Sequence, residues 1–577
     1  MNKRKIPLGC AALALSIALP VFAGEWQTSE DFGLVGGPRE LIAVKTITGF
    51  VNEKTYDVSG KVEVELCLPN GKCLQNVGLG APAGNSHPSF VFEVERFADG
   101  HLYQMLYPGE YQLRLVIDGE VKETTPFWLT AEKGKSVEIV PDFQGDAGIV
   151  KPLNGIGQGP LLGYDNYKLF HYLKEANVPY SRTHDVGGPF GKNLFFDIPN
   201  LFRNFDADEN DPANYDFTFT DQYVKNLIDN DVEVYFRLGV TIENACYVKS
   251  YRIVPPKDFA KWARICEHVI RHYNEGWANG FKYGIKRWEI WNEPDNCVGT
   301  ASASMWAAPF SEYIRFYEVA ATHLKKTFPD LEIGGYGSSG LYYHTKSPNH
   351  NTGSNARPEQ LYNDFHKFIK HVTEKKLPLD FFSFHGYDAP QYLIEQINYV
   401  REVLDKAGYK HTKLSMNEWI QSSSWNDTPW QTAQAMSTVC GMQYSALDDS
   451  EIYDGKCGPS NYSPLFDIIT HRPRRLYYAW KWFGEMRTYD KAIPVKVTEA
   501  GGDAQYDVWS MGAVKGDKAR LLITNCGITE RPLSLALPAG YRVTGCRIIN
   551  DNQTNRDCAL PKVLAPNTVL RVDCKTE

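Results

Sequence analysis

The chain reads as an α/β protein built on a (β/α)8 TIM barrel, with a β-sandwich-like domain before it and another after it. Three observations lead there. Residues from about 25 to 145 alternate apolar and polar side chains with the period of a strand, and so do segments beyond about residue 490. Between those regions, short apolar strands and longer one-faced helices alternate eight times. Alternation at that scale predicts a parallel sheet, and eight units predict its closure. The length agrees, since 577 residues exceed what a single hydrophobic core organises and predict two to four domains. The boundaries read as a leader over 1–23, an N-terminal β domain over 24–147, the barrel over 148–488 and a C-terminal β domain over 489–577.

The leader comes first. Lys3-Arg4-Lys5 precedes an apolar run from Ile6 to Leu19, and Val21-Phe22-Ala23-Gly24 supplies small residues for cleavage after Ala23. That order of charge, apolar core and cleavage site is a secretory signal. The run is short for a spanning helix, and no later stretch has about 18 uninterrupted apolar residues. The expectation is an exported protein, periplasmic or extracellular, with no membrane span. Removing the leader takes Cys10 and leaves 11 of the 12 cysteines. In an oxidising compartment the pairs Cys67/Cys73, Cys246/Cys297, Cys440/Cys457 and Cys546/Cys558 are expected disulfides. The cysteines lack the paired close spacing of a zinc site, so neither a metal nor a cofactor is expected. A net charge of −8 without long runs excludes the basic face that nucleic acid requires. The oligomeric state is left open.

In the N-terminal domain, Lys61 to Leu68 (KVEVELCL) and Tyr111 to Ile117 (YQLRLVI) alternate with period two, the second running into the hairpin signal Asp118-Gly119. Barrel strands are expected near Gly155, then over 178–182, 232–238, 287–291, 332–336, 381–385, 413–417 and 451–453. Between them, Phe259, Trp262, Cys266, Val269 and Tyr273 keep one helical face, as do Leu361, Phe365, Ile369 and Val372. A last helix is expected from Pro473 to Met486, its proline in the first turn. β character returns over 519–525 and 569–572.

If the barrel closes, chemistry belongs at the C-terminal ends of its strands. Arg287 to Asp295 (RWEIWNEPD) runs from a tryptophan-rich strand straight into Asn-Glu-Pro-Asp, which puts Glu293 just past strand four. Ser415 to Trp419 (SMNEW) puts Glu418 at the end of strand seven. Strands four and seven face each other across a barrel mouth, and two facing carboxylates are the equipment for cleaving a glycosidic bond. An aromatic content of 13%, with 13 Trp and 33 Tyr, suits a sugar cleft and equally suits large cores. Position along the chain does not say which carboxylate is the acid.

These motifs resemble clan A of the retaining glycoside hydrolases and, within it, glycoside hydrolase family 39, which includes β-xylosidases and α-L-iduronidases. Further matching pieces are Ser181-Arg182-Thr183-His184, Phe384-His385-Gly386-Tyr387 and Arg472 to Tyr478. The resemblance covers roughly residues 150 to 488. It implies Glu293 as acid/base and Glu418 as nucleophile, with Asn292 on the sugar 2-hydroxyl. It places Arg182, His184, His385 and Tyr387 near the nucleophile or sugar, and it favours exo action on a terminal sugar. Trp419 has two readings, a sugar platform or a core residue. Arg182 has a second reading, an ion pair with Asp185 or a glutamate that braces the barrel. Glu289 reads as structural, and Asp295 and Asp454 as loop anchors. The competing functions are a non-catalytic carbohydrate-binding barrel, which would not need both glutamates, and a metal-dependent barrel enzyme, for which no His/Asp cluster stands at the strand ends.

Overall fold

The computed structural model describes residues 31–576 except 35–38, 41–45, 81–87, 99–100, 161–168, 187–194, 242–251, 301–302, 348–355, 422–425, 456–461, 468, 500–501, 504–506 and 551. The leader and Cys10, Cys246 and Cys457 lie outside the described residues.

Eight parallel strands form a closed barrel: β1 (Gly155–Gly157), β2 (Tyr180–Arg182), β3 (Glu233–Leu238), β4 (Arg287–Ile290), β5 (Glu332–Ser338), β6 (Phe381–Gly386), β7 (Lys413–Trp419) and β8 (Asp449–Tyr453). Closure is made by β8 pairing with β1, Ile452 opposite Ile156. All eight expected strands are present, including the three-residue β1 and β2. The helices that follow them in turn are α1 (Phe170–Glu175), α2 (Thr218–Asp229), α3 (Phe259–Asn274), α4 (Phe310–Thr327), α5 (Arg357–Lys375), α6 (Pro390–Lys406), α7 (Pro429–Gln443) and α8 (Arg475–Met486). The stripe Trp262, Cys266, Val269 and Tyr273 of α3 is buried as its spacing requires. At α8 the expectation needs a small correction. Pro473 stands before the helix, bridged to Phe466, and the helix opens at Arg475.

The flanking β structure forms two sandwiches. One stacks the sheet of 32–34, 46–51 and 89–93 on a five-stranded sheet whose centre is 109–117, and the core between them includes Phe32, Val64, Phe92 and Leu113. The other is β-rich and C-terminal, but two of its strands precede the barrel. Val137–Pro141 pairs with Val495–Glu499 and with Thr529–Leu535, and Glu132–Lys133 also joins the latter strand. The chain therefore enters and leaves the barrel through the same sheet.

Helix α7 lies between the barrel and both sandwiches. Gln434 Nε2 donates to the Cys526 carbonyl at 2.9 Å, Ser437 and Thr524 share a hydroxyl hydrogen bond at 2.7 Å, and Trp430 joins the N-terminal core. A helix covered on all sides has no polar face, which is why its sequence shows so little periodicity.

The described cysteines are all unbonded thiols. Of the expected pairs, Cys67 lies opposite Cys73 in a strand ladder, and the Cys546 and Cys558 thiols are 3.3 Å apart. The other two expected pairs each include a residue outside the described set. No described helix is long and apolar enough to cross a membrane.

Candidate active site

The strand-end cluster is built from β2, β4, β5, β6 and β7. On β4 the extended chain stops at Ile290. Trp291 and Glu293 then take left-handed backbone angles, φ 77° and 44°. Non-glycine residues adopt these at a cost of about 1–3 kcal/mol each, which the surroundings must offset. Trp291 is pinned by its indole Nε1, which donates to the Met305 carbonyl at 2.9 Å, and the Glu293 N–H donates to the Gly337 carbonyl of β5 at 2.9 Å. The turn swings Glu293 over the barrel mouth.

On β7 the ladders slip by one residue on both sides, leaving Asn417 as an extra residue in the strand. Such a bulge re-aims side chains. Asn417 and Glu418 both reach inward. Asn417 Nδ2 donates to Glu289 Oε1 at 2.6 Å and to the Tyr235 hydroxyl at 3.1 Å. Trp419 points the other way. It is wholly buried with its ring 6.0 Å from Trp480 of α8, so it is wall and lies outside the cluster.

Arg182, at the end of β2, is 0% exposed and ties the pieces together. Nε donates to Glu289 Oε2 at 2.8 Å, Nη2 to Asn292 Oδ1 at 2.6 Å and Nη1 to Glu418 Oε2 at 3.3 Å. Arg182 thus braces the barrel through Glu289 and also touches Glu418. From β6, His385 Nδ1 bonds Glu293 Oε1 at 2.7 Å, with Nε2 3.6 Å from Glu418 Oε2. Tyr387 donates its hydroxyl to Glu418 Oε1 at 2.5 Å. His184 is buried nearby, its Nε2 3.4 Å from Asp185 Oδ1, and makes no described hydrogen bond to either carboxylate.

Glu293 and Glu418 keep 18% and 10% of their side chains exposed, enough to meet a ligand from the mouth. Oxygens of the two carboxylates and a His385 nitrogen lie within 4.8 Å of one another. Burial pushes Glu293 up, but the His385 hydrogen bond and charge, aided by Arg357 and Arg182, outweigh it and hold Glu293 below the usual range. Burial pushes Glu418 up, and the charge of Glu293 keeps it raised against His385, Arg182 and Tyr387. Burial disfavours the charged form of His385, yet the two glutamates together raise it. The charge of each group moves the others, so the two carboxylates titrate as a coupled pair beside His385. His184 is driven well below its ordinary value by burial and by the charges of Arg182 and Arg237, which keeps it neutral.

The trio Glu293, His385 and Glu418 is close enough to grip a cation, as are Glu65, Cys67 and Cys73 in the N-terminal sandwich. In the barrel, however, the donors are already engaged: His385 with Glu293, and Glu418 with Tyr387 and the Arg182 guanidinium, which supplies the positive charge.

Several members of the cluster escaped the sequence reading. Asn296 Nδ2 donates to Glu293 Oε2 at 2.8 Å and Arg357 donates to Asn296 at 3.0 Å. Tyr462 is 38% exposed, with its ring 6.4 Å from Tyr387 and 5.1 Å from Tyr453. Glu289, read from sequence as structural, is fully buried at the hub.

Comparison with known proteins bears on the family and the fold. A family model described as glycosyl hydrolases family 39 matches residues 171–440. A beta-xylosidase of Geobacillus stearothermophilus is 25% identical over 265 residues, 41% of this chain and 46% of that protein. A beta-xylosidase of Caldicellulosiruptor saccharolyticus is 32% identical over 85 residues, 14% of this chain and 16% of that one. The matches thus span less than half the length of these relatives. Among solved structures, a glucosidase from Croceicoccus marinus superposes with TM-score 0.59 at 17% identity, covering 77% of this chain and 100% of that one. The GH39 enzyme from Xanthomonas axonopodis pv. citri gives 0.54 at 14%, covering 77% and 98%. At such identities these structures speak for the fold. The stretch similar to glycosyl hydrolases family 39, residues 171–440, carries Arg182, the Asn292-Glu293 turn, His385 and Glu418.

Proposed function

We propose that the protein is an exported retaining glycoside hydrolase that removes terminal sugars from an oligosaccharide or polysaccharide by double displacement. The observation that carries this reading is the pair of inward carboxylates, Glu293 and Glu418, with oxygens within 4.8 Å across the barrel mouth. Retaining enzymes hold their carboxyls about 5–5.5 Å apart, and inverting ones about 6.5–9.5 Å, to admit a water.

In this reading Glu418 attacks the anomeric carbon while Glu293 passes its proton to the departing glycosidic oxygen. One C–O bond forms to Glu418 as the other breaks. Glu293, now ionised, takes a proton from a water whose oxygen displaces Glu418, and both carboxyls return to their starting states. Arg182 and Tyr387 favour the ionised form of Glu418. Arg182 also occupies Asn292 Oδ1, leaving the amide N–H to meet a sugar hydroxyl. Tyr462 replaces Trp419 as the ring offered to the sugar. Two relatives are named beta-xylosidase, so a terminal β-xyloside is the first substrate to try; exo action rests on the same likeness.

The opposite order of roles has one observation on its side. Burial and the charge of Glu293 raise Glu418, whereas the His385 hydrogen bond and nearby cations lower Glu293 against its burial, the reverse of what an acid at 293 needs. A proton shift along the 2.7 Å bond from His385 to Glu293 restores the proposed order, because it makes Glu293 the acid and leaves Glu418 facing Arg182.

Aryl glycosides tested with the parent, Glu293→Ala and Glu418→Ala decide the matter. Activity is expected in the parent alone. Azide should rescue Glu418→Ala with inverted product, and a 2-fluoro glycosyl label should map to Glu418. A label on Glu293 would reverse the roles, and full activity in both variants would remove the proposal. Export would also expose Cys546 and Cys558 to oxidation, and thiol counting on protein taken from the exported fraction should find that pair bridged.

A further inference from the structure

A cleft of about 470 Å³ opens where the N-terminal sandwich, the barrel and the C-terminal sandwich meet. That volume lies inside the range of roughly 300–1,000 Å³ typical of small-molecule sites. Its barrel wall is the head of α7, just past the loop leaving Glu418, and Arg475 at the head of α8. Both helices begin at the end of the barrel that holds the carboxylates, so the cleft flanks that end.

The lining has a consistent character. Tyr107 and Trp430 stack with centroids 4.6 Å apart, and Trp128 stands half-buried beside them. Around these rings stand amide groups. Asn552 is exposed at the rim. Asn567 is 3% exposed; its Nδ2 donates to the Pro108 carbonyl at 3.2 Å, while its Oδ1 is buried with no partner. Arg475 donates to the Asp427 carbonyl at 2.6 Å and sits 3.6 Å from that residue's carboxylate, yet its Nε also lacks a partner.

The chemistry selects the ligand. Arg475 is neutralised by Asp427, and Glu110 on the lining adds negative charge, so an anion gains nothing. Flat rings set among amides fit a neutral molecule with apolar faces and many hydroxyls. We propose that this cleft binds a neutral oligosaccharide, separately from the Glu293/Glu418 site and on the same end of the barrel. A chain held there would be presented to the barrel mouth at high effective concentration.

The test uses the full chain carrying Glu293→Gln and Glu418→Gln, titrated calorimetrically with xylohexaose, cellohexaose and laminarihexaose. Trp128→Ala and Asn552→Ala, two half-buried or exposed positions, are then added singly. Binding of at least one hexasaccharide is expected, weakened about tenfold by each addition. In the otherwise unaltered protein, the same two substitutions should leave aryl-glycoside hydrolysis unchanged, a readout independent of whether that hydrolysis follows the proposed mechanism. Absence of binding for all three sugars, or equal affinity with and without Trp128, overturns the proposal.

Discussion

Arg182 donates through Nη1 to Glu418 Oε2 at 3.3 Å and through Nε to Glu289 at 2.8 Å, so one buried cation serves both the strand-seven carboxylate and the barrel floor. Arg182→Ala leaves Glu289 as a buried charge without its main partner, and breaking a buried pair this way costs about 3–5 kcal/mol. Arg182→Lys keeps the charge but lacks the fork that reaches Glu289, Asn292 and Glu418 together. The expected outcome is a large fall in thermal stability for the alanine variant. The lysine variant should stay folded and lose most of its kcat. Melting curves and aryl-glycoside kinetics on both variants check this, and a fully active lysine variant would refute it.

Tyr387→Phe removes one hydroxyl. Its hydrogen bond to Glu418 at 2.5 Å favours the ionised carboxylate. Hydrogen bonds to charged groups contribute about 1.5–3 kcal/mol, so kcat should fall by roughly 10- to 100-fold. Without that donor the Glu418 pKa rises, and the acid limb of the pH profile should move to higher pH. A limb that stays in place would separate Tyr387 from Glu418 in function.

The strand ends were legible because a barrel confines its reactive groups to one rim, so Glu293 and Glu418 could be read from their places in two strands. The bonds between them were not. Arg182 meets Glu289 across 107 positions and Glu418 across 236, and no local pattern records such distances. The bulge at Asn417 was hidden for another reason. Strict alternation puts Asn417 and Trp419 on one face and Glu418 on the other, whereas the extra residue turns Asn417 and Glu418 inward together. Trp419 stayed open between sugar platform and core because an aromatic beside a carboxylate looks the same in sequence whether its ring faces the mouth or the helices, and the structure places it in the core. The junction cleft was equally invisible, since Asn567 reaches Pro108 across 459 positions.

Gly337 on β5 has φ +64°, and a Cβ there would stand 3.3 Å from Arg182 Nη2, Glu289 Oε1 and His385 Nε2. Gly337→Ala therefore adds left-handed strain of about 1–2 kcal/mol and crowds three buried polar groups at once. The variant should melt earlier and lose kcat more than KM, because the displaced groups hold the carboxylates. Steady-state kinetics beside a melting curve test both halves. Unchanged kcat would mean the cluster tolerates the methyl group.

Asp295 sits two residues after Glu293, fully buried, and accepts hydrogen bonds from Ser338 Oγ at 2.9 Å and Ser339 Oγ at 2.7 Å. Burial first, then the charge of Glu293, raises it to about 6 against these bonds. The interaction is reciprocal, so an ionised Asp295 pushes the Glu293 pKa up and helps it keep its proton. Asp295→Asn removes that push. Under the proposed roles, Glu293 should lose its proton at lower pH, and the basic limb of kcat/KM should move down by about half a pH unit, equivalent to roughly 0.7 kcal/mol. The same group bears on folding. Its native pKa lies above the unfolded value near 3.8, so the native state binds the extra proton between about pH 4 and 6. Stability from this group is present below that window and is lost as pH rises through it. The parent should therefore show a stability loss across that interval which Asp295→Asn lacks. Melting temperatures at pH 4 and pH 7 for both proteins, alongside the kcat/KM profile, provide the comparison, and parallel behaviour of the two would mean Asp295 is already ionised throughout.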